Sequence, residues 1–317
     1  MVEANGVAFL FPGQGSQFAG MGKDLVERFP EARAVYERAD AALAPHGLSI
    51  SQVSFEGTEE ELKQTAVTQP AILTHSLAVF EVLKAHGKRP VVAAGHSLGE
   101  YSALVAAGAL TLEDAVVLVR YRGLYMQEAV PAGVGAMSAV IGLDADSVVA
   151  ACAEASAATG ETCSAANFNS PEQVVIAGTA GGVAKAGEIL KAKGAKRVLP
   201  LPVSAPFHCS LMKPAEEKLS PRLDSTTFAA MAFPVVTNVD VASNSDPAAA
   251  REALRRQVCS SVRWVETVEL LSKETVGAIE VGPGNVLQGL AKRIAKGWPV
   301  KSTSTAEALA ALLAENA

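Results

Sequence analysis

The sequence predicts an α/β fold: a mainly parallel β-sheet covered by helices on both faces, with a small unit of different texture inserted into it. Three observations carry that expectation. Short, wholly apolar runs such as 7–11 and 91–94 alternate with longer helical segments, as strands buried on both sides do. Two of these runs pass at once into glycine-bearing turns, "PGQGSQ" (12–17) and "GHSLG" (95–99). From Pro131 the pattern changes to strands and helices in the order β-α-β-β-α-β, and the first pattern returns after Ser204.

The elements follow in chain order. Residues 7–11 read as the first strand, and the loop after it exposes backbone N–H groups. Gln69–Pro70 opens a helix that runs to about Gly87, because proline suits a first helical turn and glycine a C-terminal end. A strand at 91–94 follows, then a helix from Leu98. Thr111 with Asp114 three residues on resembles a capping box, opening a helix through Arg122 to about Glu128. In the inserted unit, 135–143, 162–167, 173–178 and 196–201 read as strands and 144–158 and 181–193 as helices. That order describes a ferredoxin-like subdomain at 131–203, inserted into a larger domain made of 1–130 and 204–317, with Pro131, Pro200 and Pro202 near the joins. Beyond it, 234–239 and 278–281 suit strands and 247–257 and 286–296 suit helices. The terminal "TAEALAALLAEN" is an amphipathic packing helix.

Composition narrows the function. With 317 residues, 49% hydrophobic and 19% charged, the chain has ample material for a large core. A formal net charge of −6 argues against nucleic acid as a partner, and the lack of a long basic run argues against a membrane surface. The N-terminus shows no basic region followed by an apolar segment and a cleavage site, and no charge-free run is long enough to span a bilayer. Cys152, Cys163, Cys209 and Cys259 form no Cys-x-x-Cys pair, which suits a reduced, cytoplasmic protein without a zinc site or disulfide frame.

The chemistry centres on Ser97. A one-residue turn from strand to helix strains the middle residue and brings strand and helix close together. Glycine at 95 and 99 removes the side chains that would collide there. The hydroxyl is left over the helix N-terminus, where free N–H groups and the helix dipole favour a developing negative charge. This is the geometry of a nucleophile elbow, although serine is also a good plain N-cap. A serine nucleophile needs a base. Of the five histidines, His75 and His86 fall within one helix, His46 beside Pro45, and His96 next to Ser97, where adjacent side chains diverge. His208, at the return from the inserted unit, can pass over the carboxyl end of the sheet, and equally suits a structural histidine.

Six motifs stand in order through nearly the whole chain: "FPGQGSQ", "GHSLGEYSAL", "RGLYMQEAVPAGVGAM", "NFNSPEQVVIAG", "PVSAPFHCSLMKPA" and "EVGPGNVL". Together they resemble the bacterial malonyl-CoA:acyl carrier protein transacylase family. The resemblance implies an α/β-hydrolase-like core with the inserted ferredoxin-like subdomain. It implies Ser97 as nucleophile, His208 as general base, and the backbone N–H groups of Gln14 and Leu98 as the oxyanion hole. It further implies that the main-chain carbonyl of Gln257 orients the histidine in place of an acid. Asp144, Asp146 and Glu154 lie between serine and histidine but all within the inserted unit.

A malonyl group ends in a carboxylate, which arginine's planar fork pairs best. Arg120 and Arg122, two apart on a helix, point to different faces, and the family match selects Arg122. Phe207, beside the histidine, is a second selector by the same resemblance, and Asn167 supports the substrate or the domain junction. The reaction so implied is ping-pong transfer of malonyl from malonyl-CoA to the phosphopantetheine thiol of acyl carrier protein, supplying fatty-acid synthesis. It needs no metal or bound redox cofactor. A serine hydrolase or thioesterase is the rival reading, and Arg122 speaks against it. Lys191, Lys193, Lys196 and Arg197 form a candidate patch for an acidic carrier.

Overall fold

A computed structural model describes residues 6–203 and 205–315. Residues 1–5 of the N-terminal reading, Ser204 at the expected junction, and Asn316 of the terminal motif lie outside the described residues. The principal sheet has six strands in the order β10 (Val300–Ser302), β9 (Gly277–Glu280), β1 (Val7–Phe11), β2 (Val92–Gly95), β7 (Val235–Val236) and β8 (Ser243–Asn244). All neighbours are parallel except the β7–β8 hairpin. On β1, Phe9 and Phe11 pack into one core while Ala8 and Leu10 pack into another on the opposite face. Ala93 on β2 joins the first core, and Val92 and Ala94 the second. With both faces buried, no polar residue is needed on alternate positions, which is why these runs read as continuously apolar.

A separate antiparallel sheet has the order β4 (Cys163–Ser170), β5 (Gln173–Thr179), β3 (Gly135–Ile141) and β6 (Arg197–Pro200). Helices Ala145–Thr159 and Ala180–Ala192 share a core with it through Val140, Val148, Ile176 and Val183. Their starts are set by side-chain caps: Asp144 accepts the Ser147 N–H at 2.8 Å and Thr179 the Gly182 N–H at 3.1 Å. Two backbone bonds tie β4 to the larger unit, Val262 N–H to Ala166 C=O and Phe168 N–H to Val262 C=O, both 2.9 Å.

Several elements depart from expectation. The long helix spans Thr65–Ala85, so Pro70 lies inside it and not at its start. Its first turn is anchored from outside, Gln127 accepting the Ala66 N–H at 2.8 Å. The proline, having no N–H, leaves one intrahelical bond to the Ala66 carbonyl unmade. Among the described residues this is the single helix long and apolar enough to cross a membrane; 83% of its apolar window is buried against neighbouring elements. The strand expected at 234–239 is only Val235–Val236, because the Thr237 N–H turns to Ala242 C=O and Asn238 is drawn towards Glu100. Helices Pro30–Leu43, Lys213–Ser225 and Trp264–Glu274, and three short ones before Thr65, have no counterpart in the sequence reading.

His75 on the long helix is buried, and among the described residues neither ring nitrogen has a partner. Burial pushes its pKa from 6.5 down to about 3. Between those values the unfolded chain binds more protons than the folded one, so stability falls as pH drops through 6.5 towards 3. At pH 5 the cost from one such group is about 2 kcal/mol. His75→Leu is therefore expected to lose less Tm than the wild type between pH 7 and pH 5. Parallel Tm curves for the two proteins would show that His75 is not the acid-sensitive group.

Candidate active site

β2 ends at Gly95 and the next helix, Leu98–Ala106, begins immediately after Ser97, which holds φ 52° and ψ −105°. Few residues other than glycine tolerate a positive φ, so the surroundings must enforce it. They do so by crowding. A Cβ on Gly95 would lie 1.9 Å from the Gly99 carbonyl carbon, and one on Gly99 only 2.0 Å from the Phe11 carbonyl oxygen. β1, β2 and the helix cross too closely for any side chain there. The first loop also presses on the elbow, since a Cβ on Gly13 would meet the His96 carbonyl oxygen at 2.4 Å. Asn238 straps the strained residue from both sides: its Oδ1 accepts the Ser97 N–H and its Nδ2 donates to Gly95 C=O, each at 2.7 Å.

Ser97 Oγ stands 2.7 Å from His208 Nε2. His208 Nδ1 faces two backbone carbonyls, Gln257 at 3.0 Å and Ser260 at 3.1 Å. Carbonyls only accept, so Nδ1 carries the proton and the Nε2 lone pair is directed at the serine hydroxyl. Burial, reinforced by the Arg122 charge, pushes the His208 pKa down to about 3, which keeps the imidazole neutral and free to take a proton. Among the described residues no carboxylate bonds to His208. Asp144 caps its helix and Glu154 pairs with Lys193.

Arg122, on helix Leu112–Glu128, is 1% exposed. One nitrogen donates to Ser97 Oγ at 3.1 Å and to Gln257 Oε1 at 2.9 Å, and the guanidinium lies 5.4 Å from the centre of the Tyr101 ring. Its Nε has no partner, and among the described residues it forms no ion pair. Arg120 leaves on another face and donates to His46 C=O at 2.9 Å. His96 is turned away from the serine, bonded through Nε2 to Asn169 Oδ1 at 2.8 Å and set against Trp264.

A cavity of about 110 Å³ brings these groups together with Gln14, Leu98, Asn167 and Phe207, walled by Met126, Met137, Leu201 and Val203. Among the described residues the backbone N–H groups of Gln14 and Leu98 have no hydrogen-bond partner. Asn167 both lines the cavity and forms a bridge with Val262, at the seam between the two units. Two lysines of the basic patch are committed to acids, Lys193 to Glu154 and Lys196 to Glu172. No group of three or more His, Cys, Asp or Glu able to hold a metal occurs among the described residues.

Three members of the site were not foreseen: Asn238, Ser260 and Glu100. Glu100 had a signal, being the one charged residue in the apolar run "LGEYSALVA". It is fully buried, and its Oε2 accepts from the Asn238 N–H and Gln257 Nε2, both at 2.8 Å. Asn238 and Ser260 contribute through loop geometry that no local pattern marks.

Residues 8–314 match the family model described as the acyl transferase domain. The malonyl CoA-acyl carrier protein transacylase of Escherichia coli K12 is 50% identical over 308 residues, covering 96% of this chain and 98% of that protein. The protein of the same name from Bacillus subtilis is 49% identical over 289 residues, 91% of this chain and 90% of that one. Among solved structures, an acyl carrier protein S-malonyltransferase from Vibrio cholerae superposes with a TM-score of 0.92 at 47% identity, covering 96% and 99% of the two chains. A malonyl-transacylase in complex with its type II PKS acyl-carrier protein gives 0.94 at 46% identity over 98% and 99%.

Proposed function

This chain belongs to the acyl transferase domain family, among the malonyl-CoA:acyl carrier protein transacylases, and from that premise we propose how its site moves a malonyl group from coenzyme A to a carrier thiol. His208 Nε2 takes the Ser97 proton as Oγ attacks the thioester carbonyl. The oxyanion forms between the N–H groups of Gln14 and Leu98, two donors from separate loops that have no partner among the described residues. The tetrahedral intermediate collapses, His208 returns the proton to the departing sulfur, coenzyme A leaves as the free thiol, and malonyl-Ser97 remains beside a neutral imidazole. The phosphopantetheine thiol of acyl carrier protein then gives its proton to His208 and attacks the ester, and Ser97 recovers its proton. Each step moves protons and an acyl group only, so the scheme requires no metal or redox cofactor.

The single observation that carries this reading is Arg122: a buried guanidinium, without a carboxylate partner among the described residues, beside the nucleophile. A malonyl carboxylate supplies that partner, while a serine hydrolase has no use for a buried unpaired cation. Phe207 borders the same space and restricts branching next to the thioester carbonyl, and Asn167 lines its wall from the inserted unit. Cytoplasmic residence belongs to the same proposal, supported by four cysteines that all carry free thiols.

Intact-mass measurement tests the scheme directly. Incubation with malonyl-CoA is expected to add one malonyl group, stable without an acceptor and lost on addition of carrier protein. An adduct that decays equally fast without the carrier would indicate a hydrolase.

A further inference from the structure

Glu100 sits in the first turn of helix Leu98–Ala106, with no exposed surface. Its Oε2 is engaged twice, by Asn238 N–H and Gln257 Nε2, and its Oε1 has no partner among the described residues. Gln257 is the hub of the arrangement. Its Nε2 donates to Glu100 and to Ser97 C=O, its Oε1 accepts from Arg122, and its backbone carbonyl faces His208. One side-chain amide thus separates a buried carboxyl from a buried guanidinium that form no direct ion pair. A glutamine at position 100 could accept the same two hydrogen bonds. What a carboxyl adds is charge, placed beside the group that reads the substrate's own carboxylate.

We propose that Glu100 is a specificity-determining positioning residue whose charge state sets how strongly Arg122 prefers a malonyl over a neutral acyl group, an inference that rests on Arg122 being the carboxylate site. With Glu100 neutral, Arg122 has no counter-charge and takes the malonyl carboxylate at full strength. With Glu100 ionised, a second negative charge faces the same guanidinium and the preference weakens. Burial pushes the Glu100 pKa up to about 7, despite the opposing pull of its hydrogen bonds and of Arg122, so the change falls near neutrality. The other groups that face it are Tyr101 on its own helix, Asp240 in the turn after β7, and Arg256 on helix Pro247–Gln257. Asp240 and Arg256 pair with each other at the surface and largely cancel.

The test is the ratio of kcat/KM for malonyl-CoA to that for acetyl-CoA, followed from pH 6 to pH 8.5. The Ser97–His208 proton transfers and the coenzyme A phosphates are common to both substrates and drop out of the ratio. As Glu100 ionises with rising pH, the wild-type ratio is expected to fall about tenfold. In Glu100→Gln it is expected to stay high and flat. A flat wild-type ratio, or an equal fall in E100Q, overturns the proposal. Should E100Q not fold, proton uptake decides: at pH 7.5, Ser97→Ala protein is expected to take up more protons on binding malonyl-CoA than acetyl-CoA, and equal uptake refutes it. If Arg122→Ala leaves the malonyl-to-acetyl ratio unchanged at every pH, the carboxylate site itself was misplaced. If that variant abolishes the preference while the wild-type ratio ignores pH, only the role of Glu100 fails.

Discussion

Replacing Ser97 by alanine is expected to end covalent malonylation, and replacing His208 by alanine to slow it by roughly three to six orders of magnitude. The two act as one unit, since the hydroxyl is a poor nucleophile until its proton has somewhere to go. The imidazole 2.7 Å away is the one base bonded to it among the described residues. Binding of coenzyme A itself is expected to survive the His208 change, because the imidazole is engaged by Ser97 and by the Gln257 and Ser260 carbonyls. Both variants are read by rapid-quench mass analysis of the acyl-enzyme, with a thermal melt to establish folding. Alanine has the same backbone limits as serine at φ 52°, so the elbow's strain is not altered by the substitution. Normal transfer by Ser97→Ala would remove the serine from the mechanism altogether.

Arg122→Ala is expected to exchange one substrate for another. It leaves the malonyl carboxylate desolvated and without a partner, a loss of about 2–5 kcal/mol, or roughly 30- to 5,000-fold in kcat/KM. An acetyl group has no carboxylate to lose, and the variant relieves it of an unpaired cation in the pocket, so acetyl transfer is expected to hold or rise. Arg122 also donates to Ser97 Oγ, which makes the malonyl-to-acetyl ratio a cleaner measure than either rate. Arg120→Ala serves as the control, because its guanidinium is occupied by the His46 carbonyl. A parallel fall in both activities would mark Arg122 as structural, and a switch in the Arg120 variant would mean that the neighbouring arginine reads the substrate.

What the sequence by itself determined was whatever depends on neighbours in the chain. Gly95, Ser97 and Gly99 are legible as an elbow because the clash they avoid is set by a one-residue turn. The continuous apolar run at 7–11 reveals a strand buried on both sides, and the alanine-rich stretch from Asp144 announces a helix. Resemblance extended that reading to Arg122 and His208, whose positions no local pattern fixes: His208 lies 111 residues from the serine it touches. Only the tertiary structure decided the rest. The Ser260 carbonyl, which joins that of Gln257 at the imidazole, is a backbone group such as every residue carries, so no side chain marks it in advance. Asn238 ended its strand early to strap the elbow, and Glu100 became a buried acid facing Arg122 through Gln257. Such contacts arise where distant segments meet in a region emptied of water. There a lone polar group must find whichever partner the fold brings within reach.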